Sequence, residues 1–242
     1  MRYFISPIVF SILFICSLPV KAQSPIQLYY YERTPYAVAD KQGDVSGLVA
    51  TPAAKAFKQA RIPFRWKKMP FKRQLATIKH NKKKACGIGW FKNPEREAFA
   101  RFTYEIYQDK PAITISRKGN QILAEHSNLK TLLSDKNVKL LVKDGFSYGT
   151  YIDGLIEKYK PETVVVVAST NVQMLQMILA GRADYYFSSE EEAEHIIRSA
   201  GYEVSQFQLQ HYDDMPAGNR RYITCSQQVE PEIIDSLNRA LK

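Results

Sequence analysis

The chain has 242 residues, with 34 Lys and Arg against 24 Asp and Glu, for a net charge of +10. That length accommodates one large domain or two small lobes. Beyond the first 22 residues no apolar run approaches the ~20 residues a membrane-spanning helix needs, so no second spanning helix is expected.

The N-terminus carries one positive charge, Arg2, followed by an apolar run over residues 3–20 and then Val20-Lys21-Ala22. Small residues at those positions are what signal peptidase reads, so residues 1–22 are expected to be a secretory signal peptide cleaved after Ala22. The competing reading is an uncleaved anchor, but Ser6, Pro7, Ser11, Ser17 and Pro19 weaken a spanning helix. Lipidation at Cys16 is disfavoured because bulky Phe14 and Ile15 precede it. Removing Arg2 and Lys21 leaves 220 residues at +8. The charge is uneven. Residues 45–94 hold thirteen Lys or Arg and no acid, while Glu190, Glu191, Glu192 and Glu194 cluster far downstream. A basic face attracts anions or membrane phosphates; export argues against nucleic acid, and a solvated helix face is the plainer explanation.

Residues 26–31 read as a strand, and residues 48–60 as an Ala-rich helix led by Gly47. Residues 63–69 alternate like a half-buried strand. Pro70 suits the opening of a helix whose Phe71, Leu75 and Ile78 share one face, and residues 85–91 read as a strand with two glycines. The rhythm repeats downstream. Strand 138–142 is followed by Asp144-Gly-Phe-Ser147 opening a helix to about Tyr159. The β-branched run 163–168 is expected to be a buried parallel strand. Helix 171–180 ends at Gly181, a plausible cap. Strand 183–187, helix 190–200, strand 221–225 and a last helix opened by Pro231 complete the pattern. Helices alternating with strands indicate an α/β layered fold.

Catalytic constellations are missing from the pattern. His80, His126, His195 and His211 lack metal-ligand spacing, and there is no nucleophile elbow or phosphate loop. No metal, cofactor or enzymatic activity is expected. Asp213-Asp214 sits before Met-Pro and reads as a solvated loop. Two cysteines survive cleavage, Cys86 and Cys225. An even count in an oxidising compartment points to a disulfide, with two buried thiols as the alternative.

Four short pieces, in order, carry a resemblance. They are YERTPY from Tyr31 followed by Gly47-Leu48; NPER from Asn93 followed by FTYEIY from Phe102; Gly145-Phe146-Ser147; and LAGRADYYF from Leu179. Together they resemble the type II periplasmic solute-binding proteins, closest to the polar amino-acid-binding family (solute-binding family 3) of ABC importers, over nearly all of residues 24–242. The resemblance implies a two-lobed α/β fold, each lobe a mixed sheet flanked by helices, with residues 23–113 and 214–242 in lobe one and 114–213 in lobe two. Two crossovers near residues 112–116 and 210–217 would form the hinge. Cys86 and Cys225 would fall on neighbouring strands, so a disulfide is expected.

The resemblance also implies a periplasmic monomer that captures a carboxylate-bearing solute, an amino acid or related organic acid, for an inner-membrane ABC permease. Arg96 offers a planar fork matched to a carboxylate. Ser147 offers a hydroxyl near free backbone N–H groups. Tyr36, Trp90, Phe91 and Phe146 are candidate pocket walls, and Arg33 sits in the opening ligand-facing loop. One position departs from the family pattern: Ser189 stands where an aspartate usually binds the ligand's ammonium group. Either the adjacent Glu190 substitutes, or the ligand has no ammonium. Two rival functions are an orphan sensor that presents its lobes, including the basic 45–94 face, to a receptor, and a cleft dehydratase using Glu190 and Asp144.

Overall fold

The structure, a computed structural model, describes residues 24–242 except residue 162. The signal peptide expected at residues 1–22 lies outside the described residues. The first part of the chain contains β1 (Ile26–Tyr30), β2 (Val38–Ala39), β3 (Val45–Ser46), α1 (Ala50–Gln59), β4 (Phe64–Lys68), α2 (Phe71–Lys79), β5 (Ala85–Trp90), α3 (Pro94–Glu97) and β6 (Ala100–Gln108). The middle adds β7 (Ile113–Arg117), α4 (Gln121–Ala124), α5 (Leu129–Ser134), β8 (Leu140–Lys143), α6 (Thr150–Tyr159), β9 (Val164–Val167), α7 (Asn171–Leu179), β10 (Tyr185–Ser188), α8 (Glu190–Ser199), a 3₁₀ turn (Val204–Gln206) and β11 (Phe207–Gln210). The chain then returns through β12 (Arg220–Ser226) and ends with α9 (Pro231–Ala240).

These elements form two five-stranded sheets, ordered β4-β1-β5-β12-β6 and β11-β7-β10-β8-β9. In the first, β1 pairs in parallel with β4 and β5, and β12 runs antiparallel between β5 and β6. In the second, β8 pairs in parallel with β9 and β10, while β7 is antiparallel to β10 and β11. The expected mixed-sheet, two-lobed α/β architecture is what forms.

Side-chain spacing explains the layers. Ala50, Ala53, Ala56 and Phe57 fall on one face of α1 and are all buried against β1 and β5. Small residues let the helix approach the sheet closely, and burial of Phe57 alone contributes about 2 kcal/mol. On α2, Ile78 is fully buried, whereas Phe71 and Leu75 are half-buried beside Trp90. Gln74 is the second buried residue of that helix; its amide donates to the Met69 carbonyl at 2.8 Å and accepts from Trp90 Nε1 at 3.2 Å.

Two expectations need correction. The run 163–168 does form a parallel strand, β9, but at the edge of its sheet, with Val166 60% exposed. β-Branched residues favour strands whether or not they are buried. Ser147 does not open the following helix, because α6 starts at Thr150. Residues 147–149 form a loop tied to that helix from outside.

Cys86 and Cys225 face each other across β5 and β12 and are disulfide-bonded. Residues 109–112 and 211–219 carry the chain between the sheets. These connections touch: the Asp109 amide donates to the Asn219 carbonyl at 2.9 Å. A Cβ on Gly218 would sit 1.8 Å from the Asp109 carbonyl oxygen, so only glycine allows this approach.

Candidate ligand cleft

The cleft lies between the two sheets, a cavity of about 110 Å³ walled by residues from both. Its lobe-one side is positioned by the loop after β1. Gly47, at φ +131°, lets the start of α1 press on that loop, since a Cβ there would lie 2.5 Å from the Pro35 and Tyr36 carbonyl oxygens. This fixes Arg33 and Tyr36 at the cleft.

Arg96 projects from α3, whose first turn is capped by the Asn93 side chain accepting from the Arg96 amide at 2.9 Å. The residue is 6% exposed, and its guanidinium places one N–H on the Phe91 carbonyl at 2.8 Å. It lies 5.4 Å from the Phe71 ring centroid and 5.5 Å from that of Trp90. Among the described residues no carboxylate reaches it. Burial pushes its pKa down, with the more distant Asp153 and Glu95 opposing.

The other cleft arginines, Arg221 and Arg33, are already answered. Arg221 donates to Asp109 at 2.6 Å, to the Gly89 carbonyl at 3.0 Å and to Ser189 Oγ at 3.2 Å, under the rings of Tyr36 and Phe91. Burial raises the Asp109 pKa, and Arg221 opposes that rise. Arg33 forms a two-pronged ion pair across the cleft with Glu192 of α8. Burial, the largest single influence, works against the Arg33 charge, but the attraction and hydrogen bond of Glu192, with Tyr36 and Asp109, together raise the pKa.

α8 makes further crossings. Glu191 accepts from Tyr107 Oη at 3.0 Å, Tyr36 Oη at 3.3 Å and the Lys110 amide at 2.6 Å. Lys72 pairs with Asp144 across the cleft mouth. Phe71 and Phe146 meet from opposite lobes with centroids 5.3 Å apart.

The structure thus brings Arg33, Tyr36, Trp90, Phe91, Arg96, Phe146, Ser147 and Ser189 to one cleft. Glu190 is not among them; it stands at the rim, paired with Lys110 at 3.0 Å and His211 at 3.1 Å, which holds its carboxyl below the usual range. Asp144 is also outside. The Ser147 hydroxyl donates to Asp153, whose other oxygen accepts from the Tyr148 amide at 2.9 Å. Burial raises the Asp153 pKa against those bonds.

Sequence reasoning missed Lys143, Asn171, Glu192 and Arg221. Lys143 ends β8, one residue past the strand read from the sequence. Its Nζ lies 4.6 Å from the Phe146 centroid and 5.6 Å from that of Tyr31, and donates to Asn171 Oδ1 at 3.1 Å. Burial, and secondarily the Arg33 charge, lowers its pKa to about 8.

Two sheet-and-helix lobes facing each other across an aromatic, cationic cleft define a type II periplasmic-binding fold. The chain belongs to the bacterial extracellular solute-binding proteins, family 3, whose model matches residues 28–242. Solved structures agree in fold. An ancestral arginine-binding protein bound to arginine superposes with a TM-score of 0.68 at 16% identity, covering 90% of this chain and 91% of that one. The arginine-, lysine-, histidine-binding protein of Geobacillus stearothermophilus gives 0.69 at 14% identity, covering 90% and 88%. An ancestral amino-acid-binding protein described as a precursor of cyclohexadienyl dehydratase gives 0.63 at 15%, covering 90% and 87%. No curated protein sequence matches the chain.

Proposed function

We propose that this chain is a periplasmic binding protein, exported by cleavage after Ala22, that captures a small carboxylate-bearing solute between its lobes and delivers it to an ABC permease. The observation that carries the reading is Arg96: a buried guanidinium in an aromatic-walled cleft, with four of its five N–H donors unassigned among the described residues. A buried charge without a counter-charge is costly, and a ligand carboxylate offsets that cost with two parallel charge-assisted bonds. Lobe one would comprise residues 23–113 and 214–242 and lobe two 114–213. The paired connections at 109–112 and 211–219 would act as the hinge. Ligand contacts from both lobes then favour closure.

Binding rather than turnover fits the placement of the acids. Glu190 and Asp144, the nominated dehydratase groups, lie outside the cleft and each is held by a cation. Calorimetry on a ligand found by thermal-shift screening tests the proposal. Arg96→Lys should lose most of the affinity, because the fork is lost while the charge remains. Unchanged affinity would move the carboxylate site away from Arg96.

A further inference from the structure

Charges on the cleft walls can be matched one by one. Glu192 is taken by Arg33, and Asp109 by Arg221. Lys110 is taken by Glu190 at the rim. Two cations remain without an acidic partner among the described residues, Arg96 and Lys143. Arg96 belongs to lobe one and Lys143 to lobe two, and the Phe71–Phe146 pair lies between them. Arg96 rests on Phe71, Phe71 on Phe146, and Phe146 on Lys143.

Lys143 uses one N–H on Asn171, leaving two. The groups around it are the Tyr31 ring after β1, Phe146 on its own loop, Asn171 of α7, and the Arg33–Glu192 pair, whose charges largely cancel. On the neighbouring strand β10, Tyr186 also lines the cleft. Its hydroxyl is buried with no partner, a further donor facing no acceptor. Meanwhile, among the described residues lining the cleft, no free carboxylate is available for an ammonium group. Asp109 and Glu192 are engaged, and Ser189 uses its oxygen on Arg221.

We propose that the cleft is built for a small dianion without a free ammonium group, one carboxylate on Arg96 and a second acid group on Lys143 and Asn171, with its apolar middle against Phe71 and Phe146. This rests on the carboxylate reading of Arg96 and names the other end of the ligand. Two opposed cations on separate lobes mean that neither lobe alone neutralises such a ligand. Only closure does.

The test is calorimetry with the linear dicarboxylates from malonate to suberate, the monomethyl ester of the best binder, phosphonoacetate, L-glutamate and L-arginine. A dicarboxylate should bind best, and its monoester at least about tenfold more weakly. Lys143→Met should bring the diacid down to the monoester's affinity and leave the monoester unchanged. A preference for phosphonoacetate over every dicarboxylate would keep the dianion and reassign the second group to a phosphonate. The proposal is overturned if no dianion binds, if a standard amino acid binds best, or if Lys143→Met leaves the diacid's affinity unchanged. Arg96→Ala separates the two readings. If it leaves diacid binding intact, the carboxylate grip itself fails. If it abolishes binding of both diacid and monoester while Lys143→Met does nothing, only the dianion inference falls.

Discussion

The cleft wall at the start of α8 and the floor beneath Arg96 use the same chemistry to opposite ends. At the start of α8, Glu192 and Glu191 of lobe two are met by Arg33, Tyr36, Tyr107 and the Lys110 amide of the facing lobe and connection. The protein supplies both halves of each interaction, so the contacts hold the lobes together. On the floor, Arg96 and Lys143 have aromatic rings and single neutral acceptors instead of acids. Here only half of each interaction is built in, and the other half must arrive with a ligand. The pairs of α8 set the cost of opening; floor cations set what rewards closing.

The contrast is most severely broken at Asp109. Its pair with Arg221 joins the connection after β6 to β12, with side chains 4% and 5% exposed. Asp109→Ala leaves Arg221 buried and unpaired, and urea unfolding should show a loss of about 3–5 kcal/mol. Arg96→Ala should do the reverse. It should cost roughly 2–4 kcal/mol of ligand affinity while leaving stability equal or higher, because it removes an unanswered charge. A stability loss comparable to that of Asp109→Ala would mean that Arg96 is structural.

Glu192→Gln should fall between the two in kind. Arg33 can regain water when the lobes part, so the loss should be only roughly 1–3 kcal/mol. It should appear as an increased radius of gyration by small-angle scattering of the unliganded protein. An unchanged radius with a large stability loss would assign the pair to folding rather than closure.

The smallest expected effect is in the pH response of Lys143. Its folded pKa, about 8, lies below the ordinary 10.5. Between those values the unfolded chain holds a proton that the folded one has released, so stability of the unliganded protein should rise with pH across that window. A bound dianion needs the ammonium form, so dianion affinity should weaken over the same range. Lys143→Met should flatten both trends, measured by thermal unfolding and calorimetry.

Much of this was legible in the sequence. Arg96 was marked by the family-like Asn93-Pro94-Glu95-Arg96 and by its carboxylate-matched fork, and Tyr36, Trp90, Phe91 and Phe146 were named as pocket walls beside the same resemblance. The three consecutive glutamates of α8 were harder. Their letters are identical, and only the packing of the helix sends Glu190 to the rim, Glu191 to the tyrosines and Glu192 into the cleft. Lys143 was missed because a lysine ending an apolar strand reads as the point where the chain surfaces; here Tyr31 and Phe146 cover it. Strands β6, β7 and β11 were not read: the five and four residues of β7 and β11 give little periodicity to detect, and the nine of β6 do not alternate between buried and exposed. β9 was read as interior because the β-branched run reports strand preference, not depth.

The position of β12 has a consequence for the order in which the protein assembles. It lies between β5 and β6 but comes from the end of the chain. A chain that emerges N-terminus first therefore delivers β1, β4, β5 and β6 long before the strand that joins them. Until residue 226 emerges, β5 and β6 each present an unpaired edge, the kind that recruits other chains. The second sheet draws all its strands from residues 113–210 and has no such wait. The first lobe to be synthesised is thus the last to be completed, and the Cys86–Cys225 bond can close natively only at that final step.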